Sequence, residues 1–188
     1  MPTPPVSRDP ARGGAQADTP PGIRFEYLGD HMDLARAIAH SHVEAFGTLL
    51  RDWTVDGAEQ ELRTHTGHRC IPTTLIAMEG EQWLGTVSLL QNDDERIRQY
   101  SPWLASLVVR ASARGRGIGR ALVARCVEEA DALGVRTLYL YCEPALLPFY
   151  RGLGWREHDL LMLGPVQVIV MAWDCATVPE SSGFQEAR

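Results

Sequence analysis

Lysine is missing from this sequence. All 18 basic residues of the 188-residue chain are arginine. A Walker lysine, a lysine Schiff base and any other catalytic lysine are thereby excluded. Cysteine is sparse: Cys70, Cys126, Cys142 and Cys175 are scattered, with no C-x-x-C pair. No zinc ribbon or redox dithiol is expected, and the thiols are expected to be reduced, in a cytoplasmic protein. No apolar run approaches the roughly 20 residues of a bilayer span. Met1-Pro2-Thr3-Pro4-Pro5 lacks the charged and apolar regions of a secretory signal. A net charge of -6 speaks against general nucleic-acid binding.

What remains has the make-up of one ordinary globular domain, 45% hydrophobic and 22% charged. Pro2, Pro4, Pro5, Pro10, Pro20 and Pro21 crowd residues 1–21, which are expected to form a disordered arm. Residues 176–188 are polar and are expected to be a flexible tail, leaving 22–175 as the domain. Alternation over Gly22–Leu28 predicts a first strand. Helical spacing of Leu34, Ile38, Phe46, Leu49 and Leu50 predicts a helix over 33–50. Asp56 is the expected N-cap of a second helix ending near Gly67. Thr73–Met78 and Trp83–Leu90 flank Glu79-Gly80-Glu81 as a hairpin. Gln91–Ser101 reads as a polar loop. Trp103–Val109 is a nearly continuous apolar run, expected of a strand buried on both faces. A helix over Ile118–Leu133 with Gly134 just past its end follows. Val135–Tyr141 is a strand, Pro144–Gly152 a short helix, and Val166–Trp173 the last strand. The strand–helix–strand units at 103–141 and 135–173 imply some parallel pairing.

The chemistry is concentrated in Leu107–Leu122, LVVRASARGRGIGRAL. A buried strand ends, a loop with Gly115, Gly117 and Gly119 follows, and a helix opens at once. Backbone N–H groups at a helix N-terminus cradle anions, and the helix dipole assists them. Glycines allow positive φ and close approach of phosphate. Arg110, Arg114, Arg116, Arg120 and Arg125 surround the loop, and no acid occurs from there until Glu128. This is a local basic patch in an acidic chain, and it reads as a pyrophosphate site. A P-loop is excluded by the missing lysine. A dinucleotide fold is disfavoured, because Arg120 stands where the third glycine belongs and no acid ends the following strand.

Arg114-Gly115-Arg116-Gly117-Ile118-Gly119 resembles the R/Q-x-x-G-x-G/A signature of the GCN5-related N-acetyltransferase (GNAT) superfamily. Downstream, Phe149-Tyr150-Arg151-Gly152-Leu153-Gly154-Trp155 is similar to that family's F/L-Y-x-x-x-G-F segment, with Trp155 for the usual Phe. The order and spacing agree over about residues 22–175. The resemblance implies an α/β (α+β) GNAT fold: a splayed, mixed, mostly antiparallel sheet of six to seven strands with about four helices. It also implies acetyl-CoA as donor, lodged where the fourth and fifth strands part. By position, the backbone of Leu107, Val108 and Val109 is expected to pair with the pantetheine arm. The N–H groups of Gly115, Arg116, Gly117, Ile118, Gly119 and Arg120 are expected to hold the pyrophosphate, reinforced by the Arg114 and Arg116 side chains.

The implied reaction is direct acetyl transfer to a primary amine, on a small molecule or on a peptide or protein N-terminus. A backbone N–H near Leu107 or Val108 is the expected oxyanion donor. Tyr150 matches the family's tyrosine and is the expected acid. Glu143 stands seven residues earlier, where the family often has Asn, and is the candidate base, with His158 and Asp159 as others. The acceptor pocket draws on His40, His42, Glu44, Trp53, Asp93, Asp94, Glu95, Tyr100 and Trp103. His40/Glu44 and His65/His68 have the spacing of metal pairs, but no third ligand is evident and no metal is expected. Partners are then the amine acceptor alone, with no nucleic acid or membrane. Dimers are common in the family, although no interface is marked here. The alternative reading is an acetyl-CoA-binding module that senses without turnover.

Overall fold

The computed structural model describes residues 19–47, 53–93 and 95–175. Most of the arm, Leu49, Leu50, Asp94 and the tail from 176 lie outside the described residues. The strands are β1 (Arg24–Tyr27), β2 (Thr73–Glu79), β3 (Gln82–Leu90), β4 (Trp103–Val109), β5 (Thr137–Cys142), β6 (Arg156–Leu163) and β7 (Val166–Asp174). The α-helices are α1 (Ala35–Phe46), α2 (Val55–Leu62), α3 (Ile118–Ala132) and α4 (Leu147–Arg151). One seven-stranded sheet runs in the order β1-β2-β3-β4-β5-β7-β6. Only β4 and β5 pair in parallel; every other neighbour is antiparallel.

Three local expectations are corrected. The cap of α2 is Thr54, whose Oγ1 accepts from the Gly57 N–H at 3.1 Å. Asp56 sits in the first turn instead, where it meets Arg36 at 3.1 Å and favours the dipole. α2 stops at Leu62, short of Gly67, because Thr64 Oγ1 donates back to the Glu61 carbonyl at 2.7 Å and His65 turns into the core. The segment 135–173 gives no parallel pair: β6 intervenes, takes the sheet edge, and returns the chain so that β7 runs antiparallel to β5.

The two faces of the sheet are covered differently. Leu75, Val87, Leu89, Leu104, Leu138 and Leu140 pack with Ile118, Leu122 and Cys126 of α3 and Tyr150 of α4. On the opposite face, Ile38 and Ala39 of α1 and Ala58 and Leu62 of α2 cover Ile76, Met78 and Trp83. A second cluster on that face, Trp103, Ala105, Val168 and Val170 with Tyr100, Tyr139 and Tyr141, takes no residue from an α-helix among the described residues and is closed by Ile97 of the 3-10 turn Glu95–Ile97.

Between these two clusters runs a buried polar seam. His42 Nε2 lies 2.9 Å from Thr86 Oγ1, His65 Nδ1 lies 2.8 Å from Thr74 Oγ1, and Thr74 Oγ1 lies 2.8 Å from Ser88 Oγ. Each of the five residues is at most 3% exposed. Burial pushes both imidazoles down to about 4, and for His42 the neighbouring His65 adds to it. Free histidine titrates near 6.5, so between those pH values the unfolded chain binds more protons than the fold. Stability is therefore complete above that window and is lost as pH falls through it, by up to about 3 kcal/mol per histidine. Thermal unfolding at pH 4.5 is expected at least ~10 °C below that at pH 7.0, and replacing both histidines with Asn should flatten the difference. An unchanged wild-type profile would mean that the imidazoles are charged in the fold.

Candidate active site

β4 and β5 touch through one ladder pair, Trp103 with Tyr139, and the Tyr139 N–H donates to the Pro102 carbonyl at 3.0 Å. Beyond it they part, leaving a gap lined by the last residues of β4 and of β5. On its other side β4 stays paired: Val108 lies opposite Thr86 and Val109 opposite Gly85. A Cβ built on Gly85 would lie only 2.7 Å from the Val108 carbonyl oxygen, so that carbonyl faces β3. Polar groups alternate along a strand. Those of Leu107 and Val109 are therefore turned to the gap, and the Val109 carbonyl is met there by Arg114 Nε at 3.1 Å.

The chain then turns through Ala111–Ala113, anchored by buried Ala113, and enters the glycine loop. Gly115 and Gly117 have φ of +77° and +81°, a backbone that side-chain-bearing residues rarely adopt. No side chain caps α3, and its first helical bond is Ala121 N–H to the Gly117 carbonyl at 3.0 Å. The N–H groups of Ile118, Gly119 and Arg120 thus point out of the helix end without a helical acceptor. Buried Ile118, Ala121 and Leu122 fix that end against the core. Pro20 lies beside the loop, 3.8 Å from where a Gly117 Cβ would be.

The arginines divide. Arg110 lies over the Trp83 ring, 5.0 Å from its centroid. Arg125 pairs with Glu128 and Glu129 on its own helix. Arg120 is exposed and has no partner among the described residues. Arg116 makes a two-pronged pair with Glu79 from the β2–β3 hairpin, at 2.6 and 3.2 Å. That acid was invisible in the sequence, where it stands 37 residues away. Glu79→Gln should release Arg116 toward a bound phosphate. An exposed pair is worth up to about 1 kcal/mol, so acetyl-CoA affinity is expected to rise ~2–5-fold. Calorimetric titration at low salt checks this, and a weakened affinity would show that Glu79 instead holds the loop in shape.

α4 packs its Phe149 near Gly119, and Tyr150 is 6% exposed. The Tyr150 ring meets Phe149 and Trp155 edge-on, with centroids at 5.0 and 6.3 Å. Burial pushes its phenol well above the usual value, and Cys142 and Cys126 nearby add to this. Its hydroxyl is therefore protonated throughout the neutral range. Glu143 is exposed at the end of β5, and its carbonyl starts the turn into α4 by accepting from the Leu146 N–H at 2.9 Å.

On the face opposite α3 the expected acceptor residues separate. His40 and Glu44 are exposed and turn away, whereas His42 is buried and lies under Trp53, with ring centroids 6.2 Å apart. Tyr100, Trp103, Tyr139 and His158 form one aromatic group, and the Tyr100 hydroxyl donates to Asp159 at 2.5 Å. His65 and His68 also part: His65 joins the polar seam, and His68 stacks on Tyr27 at 4.3 Å beside Asp30. The seam and the bulge it reaches in β4 were not read from sequence; the signal was Thr74, Thr86 and Ser88 inside the mostly apolar strands β2 and β3.

Residues 36–155 match the family model described as "Acetyltransferase (GNAT) family". Glucosamine 6-phosphate N-acetyltransferase 1 of Oryza sativa subsp. japonica is 41% identical over 56 residues, 30% of this chain and 34% of that protein. Serotonin N-acetyltransferase 2, chloroplastic, of the same plant is 43% identical over 49 residues, 26% of this chain and 24% of that protein. The chain thus spans well under half of either relative. Among solved structures, the ribosomal-protein-S18-alanine N-acetyltransferase of Escherichia coli superposes with a TM-score of 0.61 at 21% identity, over 86% of this chain and 99% of that one. The Salmonella typhimurium protein yncA, whose structure includes its cofactor acetyl-CoA, gives 0.61 at 16% identity, over 86% and 97%. These likenesses show the fold.

Proposed function

We propose, from the premise that the chain belongs to the acetyltransferase (GNAT) family, that it moves an acetyl group from acetyl-CoA to a primary amine by direct attack in a ternary complex. The observation that carries this reading is one juxtaposition: an uncapped helix N-terminus at the mouth of a strand gap, with Tyr150 on the short helix packed beside it.

The donor set suits a pyrophosphate followed by an amide-bearing arm. The free N–H groups of Ile118, Gly119 and Arg120, the loop Gly115-Arg116-Gly117 and the charges of Arg114 and Arg120 would take the phosphates. The gap-facing polar edge of β4, at Leu107 and Val109, would pair with the pantetheine amides, with Val108 packed between them. Acetyl-CoA supplies a thioester whose carbonyl carbon accepts the amine.

The amine nitrogen bonds to that carbon, and the carbonyl electron pair moves to oxygen. A backbone N–H turned into the gap, that of Leu107, stabilises the oxyanion. Collapse breaks the carbon–sulfur bond and leaves a thiolate. Tyr150 donates a hydrogen bond to the departing sulfur as its phenol, the protonation state that burial enforces. The ammonium proton passes to Glu143 at the rim, through water where the two do not touch. Relatives named for glucosamine 6-phosphate, serotonin and a ribosomal-protein alanine support an amine acceptor.

A thermal-shift panel of acetyl-CoA, CoA, ATP and NAD, followed by thiol release with an amine panel, tests this. A ligand at ~100 times its Kd stabilises by about 2.7 kcal/mol, which raises Tm by roughly 5–10 °C for this size. Shifts with the CoA ligands alone, and amine-dependent thiol release, are expected. A shift with ATP or NAD alone would overturn the donor. Acetyl-CoA binding with no thiol release from any amine would replace the enzyme with a sensing module.

A further inference from the structure

β4 carries a bulge. Thr86 pairs with Val108, but Ser88 pairs with Ala105, so Ser106 and Leu107 together oppose Val87. The bulged residue Ser106 has φ +51°, one of two positive-φ residues other than glycine among the described residues. A side-chain-bearing residue held in that conformation inside a strand must be kept there by its surroundings.

The surroundings are the polar seam. Thr86 Oγ1 donates to the Ser106 carbonyl at 3.5 Å, the outer limit of such a bond. A hydroxyl has one proton. With it directed to Ser106, Thr86 Oγ1 accepts from His42 Nε2–H at 2.9 Å. Thr86 is 0% and His42 1% exposed, so no water replaces either partner. Phe46 and Trp53 hold the imidazole from its own helix and from the segment ahead of α2, with centroids at 6.3 and 6.2 Å. A neutral imidazole suits this chain of bonds, and burial keeps His42 neutral near pH 7.

The Ser106 carbonyl and the Leu107 N–H belong to the same peptide unit. That unit is trans and planar, so its oxygen and hydrogen point in opposite directions. A carbonyl drawn toward β3 by Thr86 therefore aims the Leu107 N–H away from β3, into the gap with β5. At 3.5 Å the contact serves to orient the peptide unit. We infer that Thr86, oriented by His42, is a positioning residue for acetyl transfer: the His42–Thr86–Ser106 chain aims the Leu107 N–H that stabilises the oxyanion. This inference rests on the acetyltransferase reading above.

Four variants test it: Thr86→Val removes the hydroxyl at constant shape, Thr86→Ser restores it, His42→Leu removes the N–H donor, and His42→Gln restores one. Thr86→Val and His42→Leu are expected to lower kcat ~10–100-fold, since one oxyanion donor is worth about 10²–10³ when lost outright. KM for acetyl-CoA should stay within ~3-fold, because the pyrophosphate contacts are untouched. Thr86→Ser and His42→Gln should recover most of kcat. A second readout needs no turnover. In labelled protein, the Ser106 carbonyl carbon and Leu107 amide nitrogen shifts should move in Thr86→Val and His42→Leu and return in Thr86→Ser. Wild-type kcat in folded Thr86→Val, or loss of Tm with no change in those shifts, would overturn the inference. If wild-type protein acetylates no amine, the enzymatic reading fails, while the shifts still decide whether the chain of bonds sets the peptide.

Discussion

Gly117→Glu abolishes acetyl-CoA binding, with an expected loss of at least ~10³-fold. Gly117 stands at φ +81°, immediately before the first turn of α3. Any side chain there costs roughly 1–2 kcal/mol in the left-handed region. A glutamate adds a negative charge where the phosphates must lie, and it displaces charge-assisted hydrogen bonds worth about 1.5–3 kcal/mol each. A total near 4 kcal/mol is about three decades of affinity. Gly117→Ala separates the parts, since it carries only the backbone cost and should lose ~5–30-fold. Calorimetry with acetyl-CoA on both variants is the measurement. Unchanged affinity in Gly117→Glu would move the phosphates away from this loop altogether.

Tyr150→Phe should lower kcat ~10²-fold, with donor affinity and Tm close to wild type. The ring's packing against Phe149 and Trp155 survives the change. What is lost is one proton positioned for the leaving sulfur. A free thiol titrates near 8.5, below any phenol raised by burial, so full transfer from Tyr150 would be uphill. Hydrogen-bond donation, rather than completed transfer, accounts for the effect. The kcat profile should then show no basic limb from Tyr150 below pH 10. Steady-state kinetics with acetyl-CoA and a reactive amine decides it; unchanged kcat removes Tyr150 from the reaction.

The sequence disclosed most where information is local. Trp103–Val109 is apolar but for Ser106 and is β4 to the residue. The helix after the glycine loop begins at Ile118 as expected and closes on Gly134 at φ +73°. The glycine loop proposed as the anion cradle was legible because glycines, strand end and helix start are contiguous. β6 was missed because Arg156-Glu157-His158-Asp159 opens it with polar side chains at a bulged sheet edge, and Leu160 and Met162 face out, 56% and 58% exposed. No alternation survives such an edge. The partners of Arg116 and Thr86 were also hidden. Glu79 reaches Arg116, and His42 reaches Thr86, only once hairpin and helix are folded onto the sheet. Thr86 reads as an ordinary strand residue until the bulge opposite gives its hydroxyl a task.

The single Trp103–Tyr139 pair also bears on the order of assembly. On one side of it, β1 to β4 are joined in antiparallel steps; on the other, β6 and β7 form a hairpin beside β5. Within these leaves, β1 reaches β2 across α1 and α2 and β5 reaches β7 across β6, but every ladder there has four or more pairs, whereas the seam needs a parallel crossover through α3 and is held by one. The seam is therefore expected to close last in folding and to open first in denaturant. The gap proposed to receive the donor is then the least cooperative line among the described residues, and a ligand bridging both leaves would double as a rivet.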